Sequence, residues 1–63
     1  MECFACGRTE DVDYPFGSDC QWWVCDCCEY LFGRAYNSEM SLGATEDEAA
    51  EFAAYVVKHE GWA

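Results

Sequence analysis

The sequence predicts a small α+β fold stabilised by a metal ion, and three observations predict it. Two Cys-x-x-Cys pairs, Cys3/Cys6 and Cys25/Cys28, stand 18 residues apart. Two β-rich runs between those pairs flank a Gly-Ser-Asp turn. A third segment, near the end of the chain, carries a helix start signal, a helical apolar period and a stop signal.

At 63 residues the chain is one domain, 1–63. A domain of that size buries only about 60% of the surface its unfolded chain exposes, so its core needs a staple. Six cysteines offer one, as three disulfides or as a metal site. Met1-Glu2-Cys3 leaves no room for a basic or apolar leader ahead of the first cysteine, so the expected compartment is cytoplasmic. Thiols stay reduced there, which favours a metal over a disulfide scaffold.

Residues 1–9 hold the first Cys pair and a turn at Cys6-Gly7. Residues 12–24 read as a β-hairpin, with Val12–Phe16 and Cys20–Val24 as strands around Gly17-Ser18-Asp19. Pro15 makes the first strand an edge strand, since it lacks an N–H to donate. A helix is expected over 26–36, where Cys28, Leu31, Phe32 and Ala35 share one face, although Gly33 weakens it by about 1 kcal/mol. Asn37 to Ala44 reads as a loop. The last helix, 45–60, opens on a capping box of Thr45 and Glu48 and carries Glu46, Asp47 and Glu48 at its positive end. Its inner stripe is Ala49, Phe52, Ala53 and Val56, widened by Tyr55 and Val57, with Lys58 and His59 near the negative end and Gly61 as the stop.

The cysteine spacing has a physical basis. A turn with two residues between cysteines sets both sulfurs on one side, where amide N–H groups stabilise thiolates. Two such turns complete a tetrahedron around Zn²⁺ with Zn–S distances of about 2.3 Å. Cys3, Cys6, Cys25 and Cys28 are therefore the expected ligands of one structural zinc ion, and 1–37 the zinc-binding unit. Turn, hairpin, second turn and helix is the treble-clef arrangement, with the second pair at a helix N-terminus where the dipole favours thiolate. Four thiolates leave no open position for water or substrate, so the metal is expected to be structural.

Cys3-Phe4-Ala5-Cys6-Gly7, the 18-residue gap and Trp23-Val24-Cys25-Asp26-x-Cys28 before a helix resemble the N-terminal zinc-binding domain of the ClpX unfoldases. The resemblance covers about residues 2–37. It implies a treble clef that dimerises through exposed apolar residues and recruits substrates and adaptor proteins. These 63 residues lack an ATPase module, carry Cys20 and Cys27, and end in their own acidic helix. Unfolding activity is therefore not implied.

Cys20 shares a strand face with Trp22 and Val24 and is expected to be a small buried residue. Cys27 could replace Cys25 or Cys28 as a ligand, and His59 could displace one thiolate, though a histidine at a helix C-terminus is ordinarily a dipole partner. Trp22, Trp23, Tyr30, Phe32, Tyr36 and Trp62 exceed what so small a core can hide. They are the candidate interaction surface, unless the last helix covers them. Strand alternation sends Trp22 and Trp23 to opposite faces, which leaves Trp23 under the last helix or exposed as an anchor.

Thirteen Asp and Glu stand against three Lys and Arg, a net charge of −10. Four thiolates on Zn²⁺ would move it towards about −12. Such a field repels phosphate, so direct nucleic-acid binding is disfavoured. No run approaches the roughly 18 apolar residues of a membrane span. Ser18, Ser38 and Ser41 have one distant His to serve them, so no enzyme is expected. The functional expectation is a non-enzymatic zinc-binding interaction module, a small regulator or adaptor that binds another protein, a homodimer partner included. The alternative is an acidic inhibitor, such as a phage encodes, that mimics nucleic acid through Glu46, Asp47, Glu48 and Glu51, with Glu10, Asp11 and Asp13. A third reading, a redox enzyme built on Cys25-Asp26-Cys27-Cys28, requires that pair to hold no metal.

Overall fold

A computed structural model describes residues 1–61, except for the side chain of Glu60. Strand β1 (Tyr14–Phe16) pairs antiparallel with β2 (Trp22–Val24) in the register Tyr14↔Val24, Pro15↔Trp23, Phe16↔Trp22. Helix α1 (Asp26–Ser41) and helix α2 (Glu46–Val56) follow, and α2 runs into a π-helical turn over Val57–Gly61. The architecture is thus a small α+β fold of one two-stranded hairpin and two helices.

Both strands are shorter than expected: the hairpin loop takes five residues, 17–21, which shortens β2, and β1 begins only at Tyr14. Gly17 has φ +93° and Cys20 φ +53°, and the Cys20 N–H donates to the Gly17 carbonyl at 3.1 Å. Cys20 is therefore an exposed loop residue in the left-handed region, which corrects its placement as a buried strand residue. Gly17 is required sterically as well as conformationally. A Cβ there would lie 2.6 Å from the Trp22 ring.

Helix α1 continues five residues past its expected end at 36 and absorbs most of the expected loop. Its stop is Gly43, at φ +94°. Ala44 N–H bonds to the Glu39 carbonyl and Gly43 N–H to the Met40 carbonyl, each at 3.1 Å, which is a Schellman motif. Gly33 does not interrupt the helix; the Phe16 ring packs 3.4 Å from where its Cβ would stand.

Helix α2 begins as expected, with the Thr45–Glu48 capping box formed in both directions at 3.2 Å. Its inner stripe is different. Ala49, Ala50, Ala53 and Ala54 are buried together with Val57, whereas Phe52 and Tyr55 are 42% and 59% exposed and Val56 is half-buried. Four small residues let α2 lie close against α1, and that close approach turns Phe52 outward.

The core runs from the first knuckle to the last turn, with Phe32, Val24, Val57, Cys25 and Cys28 fully buried. Around Phe32 stand the rings of Phe4, Phe16 and Tyr36, at centroid distances of 6.2, 4.8 and 6.2 Å. Trp22 meets Phe4 and Tyr36, each at 6.4 Å. Trp22, Phe32 and Tyr36 are all buried, which corrects their assignment to an interaction surface. Trp23 is half-buried against the core, Tyr30 is 65% exposed, and Trp62 lies outside the described residues.

Candidate metal centre

Two short turns and one helix start build the centre. The first knuckle closes through Gly7 N–H to the Cys3 carbonyl at 2.8 Å and Cys3 N–H to the Arg8 carbonyl at 2.7 Å. Gly7, at φ +81°, supplies the left-handed residue this turn needs. Phe4 N–H donates to the Trp23 carbonyl at 2.8 Å, which moors the knuckle beside β2. In the second knuckle Cys25 is the N-cap of α1, and Cys28 lies on the first turn of that helix.

The sulfurs of Cys3, Cys6, Cys25 and Cys28 all lie within 4.8 Å of one another. Cys6 and Cys25 are 3.7 Å apart at sulfur, and Cys25 and Cys28 3.6 Å. A tetrahedron with metal–sulfur bonds of about 2.3 Å has an edge of about 3.8 Å. The four thiols are therefore spaced as ligands of one metal ion and not as disulfides; all six cysteines are free. Cys3, Cys25 and Cys28 are buried, and Cys6 is the exposed member of the set.

Burial, mutual proximity and hydrogen bonding displace the thiols of the cluster in opposite directions. Burial acts to raise the Cys3 thiol, but N–H groups of Cys25, Cys6 and Ala5 outweigh it and bring its pKa down to about 7. Burial, together with the crowding of Cys25, Cys6 and Cys3, pushes Cys28 far above the usual thiol range. Burial also raises Cys6. Four adjacent thiolates cannot share this space without a positive charge among them, and a divalent ion held by the four would supply it.

Cys27 is not part of the cluster. Its exposed sulfur accepts from Arg8 Nη1 at 3.0 Å, and the same guanidinium reaches Asp11 Oδ2 at 3.3 Å and Asp26 Oδ1 at 3.8 Å. His59 stacks on Tyr55 at 4.1 Å and is likewise no member of the set. Arg8 is the residue the sequence reading missed. It leaves the first knuckle and spans to the start of α1, and the one signal available was a lone cation, two residues after Cys6, in a strongly acidic chain.

At the start of α2, Asp47 and Glu48 are exposed and Glu46 is half-buried, and two of the three are already engaged. Glu46 accepts from Ser18, and Glu48 closes the capping box, whereas Asp47 and Glu51 make no side-chain hydrogen bond or ion pair among the described residues. No described helix is long and apolar enough to cross a membrane. The chain matches no protein-family model, no curated protein and no solved structure.

Proposed function

We propose that this chain is a structural zinc protein of treble-clef form that acts by binding another protein. The observation that carries the metal is the sulfur spacing of 3.6–3.7 Å among residues from both knuckles. Zinc is the ion favoured by four thiolates in tetrahedral array, and such a set has no vacant position for a substrate. The domain is accordingly read as non-enzymatic.

The binding role is supported by apolar side chains that α2 turns outward. Phe52 and Val56, with Leu31 and Ala35 of α1, border an open groove of about 310 Å³ between the helices. Aromatic side chains in such a position are characteristic interaction anchors. Native mass spectrometry tests the first half of the proposal and reports subunit number with it. One zinc per chain is expected, and a zinc-free folded protein would refute it. For the second half, proteins captured by the wild type are compared with those captured by Phe52→Asp. Capture that is unchanged by that substitution removes the groove from the interaction.

A further inference from the structure

We propose that Arg8 and Lys58 form a cationic rim that retains the metal ion by offsetting the charge of its thiolates. This rests on the zinc reading above. The chain has three basic residues. Two of them, Arg8 and Lys58, line a single open cleft of about 520 Å³ together with Ala5, Cys6 and Gly7. The cleft therefore opens beside Cys6, the exposed member of the four thiols. The third basic residue, Arg34, lies on α1, where it donates to the Tyr30 hydroxyl at 3.2 Å.

The two cations reach this place by different routes. Arg8 follows the first knuckle directly, and its side chain is anchored by Cys27, Asp11 and Asp26. Lys58 comes from the far end of the chain. The α-helical ladder of α2 gives way to a π turn after Val56, fully buried Val57 anchors that turn, and Lys58 follows it on the cleft wall. Local widening of this kind commonly re-aims a side chain at a functional site.

The electrostatic need is specific. Four thiolates around Zn²⁺ carry about −2, in a chain already at −10. Every carboxylate in the molecule adds to that charge, and the cations that share the cleft with Cys6 relieve it. The relief matters most at Cys6, where protons, chelators and competing thiols have access. Groups outside the ligand set tune metal affinity in this way, by about tenfold or more when they are removed.

The test measures zinc affinity by competition with a chromophoric chelator for the wild type, Lys58→Met, Lys58→Arg, Arg8→Met and Arg34→Met. The Co²⁺ absorption spectrum reports whether the tetrahedral site is intact in each. Lys58→Met is expected to bind zinc about tenfold more weakly at low salt, with an unchanged Co²⁺ spectrum. That deficit should shrink at about 1 M salt, where the screening length falls to about 3 Å. Lys58→Arg should restore affinity, and Arg34→Met should leave it at the wild-type value. Arg8→Met should weaken binding in the same sense as Lys58→Met. Equal affinity of Lys58→Met and wild type overturns the proposal, as does an equal loss in Arg34→Met, which would reflect net charge alone. A wild type that binds no zinc overturns the metal centre itself.

Discussion

Glu46, the first residue of α2, accepts two hydrogen bonds from Ser18 in the hairpin loop, one from its N–H at 3.1 Å and one from its hydroxyl at 3.2 Å. The contact joins segments 28 residues apart and fixes the N-terminus of α2 over the hairpin. Glu46 also raises the pKa of the Tyr36 phenol, although burial is the larger cause. The contact is exposed, so Glu46→Ala is expected to cost about 1 kcal/mol. A double-mutant cycle with Ser18→Ala in urea should show a coupling of similar size, and additive effects would deny the link.

Removal of the metal should unfold the domain. A metal shared by the four sulfurs would tie the first knuckle to the start of α1, and three of the four cysteines are part of the buried core. Treatment with a strong chelator is expected to abolish the near-ultraviolet dichroism of the aromatic cluster and most of the helical signal, and added Zn²⁺ to restore both. Cys28→Ser should behave as the metal-free protein does, while Cys20→Ser should match the wild type.

The pH dependence follows from the thiols. Cys3 has a folded value of about 7, below the ordinary 9.0, so its contribution is present above 9.0 and is lost as pH falls through about 7. Cys28 is displaced upward in the metal-free fold, so its contribution there is present below 9.0 and is lost as pH rises. Metal binding replaces those protons, so the loaded protein should lose stability on acidification as protons compete with the metal for the thiolates, and should show no alkaline loss near 9. Calorimetry in buffers of different ionisation enthalpy should find a net release of protons on metal binding at pH 7. Release of none would mean that the thiols are not the ligands.

Gly7 and Gly17 separate two reasons for a glycine. Both have positive φ, but a Cβ at Gly7 meets nothing within 4 Å, whereas one at Gly17 meets the Trp22 ring at 2.6 Å. Gly7→Ala should cost about 1 kcal/mol, the backbone term alone. Gly17→Ala should cost at least about 2 kcal/mol, because overpacking against Trp22 is added. Thermal melts of the zinc-loaded proteins give the order, and equal melting points would show that the loop relaxes freely.

Phe32 is the centre of the aromatic cluster and is fully buried. Phe32→Ala is expected to cost about 3–5 kcal/mol, enough to leave so small a domain largely unfolded at room temperature. Phe52→Ala, on the open face of α2, should change the urea midpoint little.

Local signals were legible in the sequence because their physics is local. The Cys-x-x-Cys turns bring two sulfurs together within four residues, and the Thr45–Glu48 box closes within four, so the cluster of Cys3, Cys6, Cys25 and Cys28 and the start of α2 follow from spacing. The hairpin was legible for the same reason, through its turn residues. Tertiary structure alone decided which faces were buried. Apolar period could not choose between Phe52 and the alanines of α2, because the choice depends on how close α1 stands, and four alanines permit the closer approach. Nor could period show that Trp22, Phe32 and Tyr36 share one cluster, since their contacts cross between strand and helix. Cys20 left the strand because it closes the turn, with positive φ and its N–H bonded to the Gly17 carbonyl. Arg8 and Lys58 meet at one cleft although 50 residues separate them, a proximity that only the folded chain creates.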